Sequence, residues 1–201
     1  MRALLQPFTG RPARFRTLRP MQTSQRLNRI DSFDHHQAVR VVVEASAGMR
    51  SKLKYSPSLG AFEVHHVLPA GMVFPHDFGF IPSTLGDDGD PLDALVFADE
   101  SLPTGTVVPC RLIGVLQATQ SSAGKPPARN DRFLAVAREG SQYAHWSNLG
   151  HVPEAVLAQL EHFFVSYNEQ RGIEFRPVAR GDAAAAMLLL EQGRDRLRQR
   201  S

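Results

Sequence analysis

Cysteine is almost missing from this chain: Cys110 stands alone among 201 residues. A single thiol excludes an internal disulfide framework and any zinc site built from several cysteines. It lies in an apolar stretch, where a free cysteine behaves as a small buried hydrophobe. Long hydrophobic runs are lacking too, none reaching the ~20 residues of a membrane span, so no membrane association is expected. The glycines at 86 and 89 lack a following Gly-Lys-Ser/Thr, which excludes a P-loop. No internal repeat is visible.

Acidic residues are missing from the first thirty positions, which hold seven arginines: Arg2, Arg11, Arg14, Arg16, Arg19, Arg26 and Arg29. Setting these aside leaves sixteen basic residues against twenty acidic ones, so the formal charge of +3 hides an acidic body. That balance argues against a dedicated nucleic-acid binder. Residues 1–30 are expected to form a basic, disordered extension, and residues 31–201 a single domain. An Arg-rich, acid-free start also resembles a transit peptide, and a start assigned too early, with Met21 as the true one, fits equally. A hydrophobic fraction of 42% with 21% charged residues is that of an ordinary globular protein with a real core.

Along the chain, residues 40–45 read as a strand, and residues 53–55 and 61–67 as a hairpin turned by Ser56-Pro-Ser-Leu-Gly60. Residues 73–81 are aromatic and bracketed by Pro75 and Pro82, which suggests irregular backbone or a short strand. Residues 107–118 read as a long central strand despite Pro109, and residues 133–137 as another. The period then changes. Val156, Leu160, Phe163, Phe164 and Tyr167 share a helical face, with Pro153 near the start and Gly172 past the end. Asp182 is placed to cap a final helix, whose tail Arg194-Asp-Arg-Leu-Arg-Gln-Arg200 reads as a solvated basic end. Short strands followed by two helices indicate an α+β domain with a barrel or curled sheet.

What the chain does have is three carboxylates within six residues, Asp88-Gly-Asp-Pro-Leu-Asp93, running into the apolar segment 94–97. Packing does not require anions this close, and a hard divalent cation would relieve their repulsion. An EF-hand loop starting at Asp88 would want an oxygen ligand at 92, Gly at 93 and Glu at 99; the chain has Leu92, Asp93 and Asp99. A plain surface turn is the other reading, since Asp-Gly and Asp-Pro are common turn formers.

The flanking sequence weighs against a plain turn. Phe74-Pro-His-Asp-Phe-Gly-Phe-Ile-Pro82 precedes the carboxylates, and together they closely resemble the soluble, family I inorganic pyrophosphatases. The likeness extends from Lys52-Leu-Lys-Tyr55 through Arg111-Leu-Ile-Gly-Val115 and Asn130-Asp-Arg-Phe-Leu-Ala-Val136 to Glu161-His-Phe-Phe-Val-Ser-Tyr167. The resemblance implies an OB-like five-stranded β-barrel with flanking helices, two of them C-terminal. It implies hydrolysis of inorganic diphosphate to two orthophosphates in the cytoplasm, dependent on Mg²⁺ or another divalent cation. A homo-oligomer is implied as well, often a hexamer in bacterial relatives. By motif, Asp88 and Asp93 match metal ligands. Asp90 matches the metal-site carboxylate that takes the proton from the attacking water. Lys52, Arg132 and Tyr167 match phosphate-binding positions. A non-catalytic phosphate- or metal-binding homologue and a hydrolase of another phosphoanhydride are the alternatives.

Several positions depart from the family pattern. Lys54 stands where many members have a Glu, and is read as a phosphate-facing ammonium. His66 replaces an Arg, Phe78 a Tyr and Asn168 a Lys, while Gln120 and Asn130 stand where two metal-binding aspartates are expected. Asp131 would supply a metal carboxylate only through a bulge, because neighbouring strand residues point to opposite faces. The pairs His35-His36 and His65-His66, with His76, lack ligand spacing and read as surface or locally hydrogen-bonded histidines.

Overall fold

The computed structural model describes residues 26–124 and 126–200. Nine strands and two helices are formed among them: β1 Val39–Ala45, β2 Ser51–Ser56, β3 Ala61–Val67, β4 Asp77–Ile81, β5 Leu92–Phe97, β6 Val107–Ser122, β7 Ala128–Arg129, β8 Arg132–Ala137, α1 Glu154–Glu169, β9 Ile173–Asp182 and α2 Ala183–Arg200. Strand β1 pairs with β4, β4 with β5, β5 with β8, β8 with β6, and β6 returns to β1. That circuit closes a five-stranded barrel. The expected α+β class and barrel are therefore found, with both helices in the last third of the chain.

Strand alternation divides the core. On β5, Ala94 and Val96 join one apolar cluster, to which α2 adds Ala186 and Leu190. Leu95 and Phe97 join the other, to which α1 adds Leu157, Leu160, Phe164 and Tyr167. Strand β8 splits the same way, Phe133 and Ala135 against Leu134 and Val136. With both faces covered, these strands read in sequence as continuous apolar runs rather than alternating ones.

Three features position the loops. Strand β4 approaches so closely to β1 that a Cβ on Gly79 would lie 1.9 Å from the Val42 carbonyl oxygen. Helix α2 begins where expected, its Ala185 N–H donating to Asp182 Oδ1 at 2.8 Å. Its basic end is not simply solvated, however. Arg196 donates to the Leu85 carbonyl at 2.9 Å and reaches Asp87 at 3.4 Å, while the Leu85 N–H donates to the Gly193 carbonyl. The helix thereby braces the segment leading into the carboxylate turn.

Strand β9 replaces what the sequence reading left without structure. It pairs with β6 along its length, but Pro177 and its mostly exposed residues hide the pattern. Of the expected basic extension, residues 1–25 lie outside the described residues. Residues 26–30 pack on the barrel: Leu27 and Ile30 cover Tyr55 and Phe80, and the Ser83 N–H donates to the Asn28 carbonyl.

Candidate active site

The turn between β4 and β5 is built by its own backbone and one threonine. Gly86 N–H donates to the Asp90 carbonyl at 2.7 Å, and Asp90 N–H donates to Asp88 Oδ1 at 3.1 Å. Gly89 takes the left-handed conformation, φ +90°, that a side chain would resist. Thr84 Oγ1 accepts the Leu92 N–H at 3.0 Å, which starts β5 in register with β4. The three carboxylates consequently face one open cavity of about 890 Å³.

Two strands, β2 and β8, bring cations to them. Lys52 and Lys54 are two apart on β2, so both ammoniums enter from one face of the β2–β3 hairpin. Lys54 Nζ engages both oxygens of Asp90, at 2.7 and 2.8 Å. Lys52 Nζ stands 4.0 Å from Asp93 and 4.6 Å from the Phe78 ring centre. Arg132, the first residue of β8, places Nη1 2.8 Å from Asp93 Oδ2. Its guanidinium is buried against Phe78, Phe164 and Phe175, and its Nε has no hydrogen-bond partner among the described residues. Tyr167 reaches the cavity from α1 with its ring in the core, its hydroxyl accepting from Arg171 at 3.3 Å.

Burial pushes the Asp88 carboxyl above its ordinary range, and the charges of Asp93 and Asp90 add to this despite the Asp90 N–H. Burial by itself would lower the Lys52 ammonium, but Asp93, Tyr167 and Glu44 together hold it above its usual value. His65, on the cavity wall, is held low by burial and by the nearby charges of Lys52 and Arg171.

Asp131 does not line the main cavity, as its neighbours Asn130 and Arg132 do. It accepts the Ala118 N–H at 3.1 Å and an Arg129 Nε–H at 2.7 Å, and shares a smaller adjoining pocket with Asp88, Asp93 and Asn130. Gln120 and Asn130 form an amide chain: Asn130 Nδ2 donates to Gln120 Oε1 at 2.9 Å, and Asn130 Oδ1 accepts from Arg132 Nη1. Asn168 turns away entirely, donating to the Phe164 carbonyl inside α1. His66 sets its ring edge-on to Tyr167, and its Nε2 is buried without a partner among the described residues.

Sequence reasoning missed Glu44 and the rim. Glu44 is buried in β1, accepts the Tyr55 N–H at 3.0 Å and lines the cavity. Burial raises its carboxyl, against the pull of Lys52 and the Tyr55 bond. An acid inside the run Val41-Val-Val-Glu-Ala45 was the available signal. Arg29, Arg171 and Arg200 also line the cavity, and nothing in their sequence neighbourhoods singles them out.

A family model described as inorganic pyrophosphatase matches residues 41–198. The chain belongs to the inorganic pyrophosphatase family. An inorganic pyrophosphatase of Thermus thermophilus is 38% identical over 131 residues, covering 65% of this chain and 72% of the relative. One from Corynebacterium efficiens is 34% identical over 160 residues, 79% of this chain and 98% of its own. The solved structure of inorganic pyrophosphatase from Thermus thermophilus superposes with a TM-score of 0.78 at 32% identity, covering 86% of this chain and 99% of that one. That of the Helicobacter pylori enzyme superposes with a TM-score of 0.76 at 26% identity, covering 84% and 98%.

Family I pyrophosphatases are metal-dependent enzymes that split diphosphate into phosphate. The donor set here suits a hard cation: it is all carboxylate, and Asp88 forms no ion pair among the described residues. The set is not assembled as it stands. Among the described residues no three His, Cys, Asp or Glu side chains converge as metal ligands, and Lys54, Lys52 and Arg132 lie against Asp90 and Asp93 instead.

Proposed function

We propose that this chain hydrolyses inorganic diphosphate to two orthophosphates with Mg²⁺ as its cation, in the cytoplasm. Asp88 and Asp93 are the residues to hold the metal, which when bound neutralises phosphoryl oxygens and makes water a better acid. Asp90 accepts the proton as the water oxygen forms its bond to phosphorus and the bridging P–O bond breaks. Lys52 and Arg132 lie on the same wall and compensate charge on the phosphoryl oxygens of substrate and transition state. Tyr167 supplies a hydroxyl donor at the cavity edge.

One observation carries this reading: three turn carboxylates and the cations Lys52, Lys54 and Arg132 share one cavity. A second reading, a phosphate-binding homologue without turnover, is favoured by Lys54, which covers both oxygens of the proposed base. One assay separates them: phosphate release from magnesium diphosphate by the wild type and by Asp90→Asn. The expected result is release that disappears on chelation, returns with Mg²⁺ and falls by about 10²–10⁴ in the variant. No release at any Mg²⁺ concentration would leave the binding reading. Release untouched by Asp90→Asn would remove Asp90 from its role.

A further inference from the structure

We propose that Lys54 is a resident cation of the carboxylate turn, taking the place of one divalent ion, so that the substrate-free protein loads fewer metal ions than it would with a carboxylate at position 54. This rests on the reading of Asp88, Asp90 and Asp93 as a divalent-cation site.

Three observations lead there. A carboxylate has two oxygens to offer, and Lys54 Nζ occupies both on Asp90. A metal ion approaching Asp90 therefore meets a like charge already at hydrogen-bond distance, which disfavours its binding there. The ammonium is also delivered by structure rather than by chance. Lys54 sits mid-strand in β2, paired with Glu63 of β3, on the face that carries Lys52 to Asp93. Finally, Gln120 and Asn130, which also line the cavity, are amides rather than carboxylates. They bond to each other, and Asn130 spends its oxygen on Arg132. A neutral amide pair offers a second cation far less than two carboxylates would. Asp90 is thus matched to Lys54, and an added ion is left to Asp88 and to Asp93, which it shares with Arg132 and Lys52.

A lysine in this role differs from the metal it replaces. Its charge is single and cannot be lost to chelators. Its arm is half-exposed, as is the Asp90 side chain it holds. Entry of an anionic substrate gives that ammonium a second partner, phosphoryl oxygen, and frees Asp90 to accept a proton.

The test counts metal ions rather than turnover. Mn²⁺ bound per protomer, without substrate, is measured by equilibrium dialysis for the wild type, Lys54→Glu and Lys54→Met, with circular dichroism to check that each is folded. Lys54→Glu is expected to bind one Mn²⁺ more than the wild type. Lys54→Met, which removes the competing charge without adding a ligand, is expected to bind Mn²⁺ about tenfold more tightly. Equal number and equal affinity in all three folded proteins would overturn the inference. The expected Mn²⁺ counts in a protein that releases no phosphate from diphosphate would sink the catalytic reading and leave this one standing. Turnover in the wild type with unmoved Mn²⁺ counts would do the reverse.

Discussion

Arg132 Nη1 lies 2.8 Å from Asp93 Oδ2, and the two residues face each other across the parallel pairing of β5 and β8. The barrel itself thus sets the distance between a proposed metal ligand and a proposed phosphate-binding cation. Their ion pair is shielded by three aromatic rings, with the Arg132 side chain only 4% exposed.

Breaking this pair from one side leaves Asp93 in a poorly solvated place with only the more distant Lys52. Arg132→Met is expected to cost about 3 kcal/mol of unfolding free energy, read from urea denaturation. Arg132→Lys will recover little of it, because an ammonium has neither the planar fork nor the flat face that packs on Phe164 and Phe175. A double-mutant cycle with Asp93→Asn isolates the coupling.

Gly79 gives a prediction of a different kind. Its missing side chain is what allows β4 to lie against β1, with the Val42 carbonyl 1.9 Å from where a Cβ would stand. Backbone cannot swing aside as a side chain can. Gly79→Ala is expected to lose about 3 kcal/mol or more, seen as a lowered urea midpoint or as failure to accumulate folded protein.

His76 predicts a pH dependence of stability. It lies edge-on to Phe97 at 4.5 Å, and burial holds its imidazole below the usual 6.5. The unfolded chain therefore takes up a proton at a higher pH than the fold does. Stability is full above about pH 7 and is lost as pH falls through 6.5 towards the lower folded value. Unfolding curves at pH 7.5 and 5.5 are expected to differ in that direction for the wild type, and to differ less for His76→Gln.

Much of the strand structure is legible in the chain because its signals are local. Val39–Ala45, Ala61–Val67 and Arg132–Ala137 are β-rich runs bounded by turn residues, and each forms a strand close to where the pattern puts it. The α1 face is legible for the same reason, though Asn168 interrupts it as a buried polar residue that bonds back into its own helix. Strand β9 is illegible because its ladder is made with β6 alone and much of its surface stays wet, so no apolar period marks it. Docking of α2 through Arg196 is illegible because Leu85 lies 111 residues earlier. A basic tail looks the same whether it ends in water or on a partner.

For the site, sequence by itself determined the carboxylate turn. Spacing, turn residues and the aromatic segment before it are all short-range properties, and they were enough to set Asp88 and Asp90 on one loop with Asp93 at the start of the strand that follows. Only the tertiary structure decided which charges meet them. Lys54 and Asp90 are 36 residues apart, one on the two-stranded β2–β3 sheet and the other in the turn before β5, so their contact depends on how that hairpin packs beside the barrel. Asp131 and Arg132 are neighbours in sequence, yet Arg132 enters the main cavity and Asp131 the adjoining pocket. Charge alone carries no direction; the backbone supplies it.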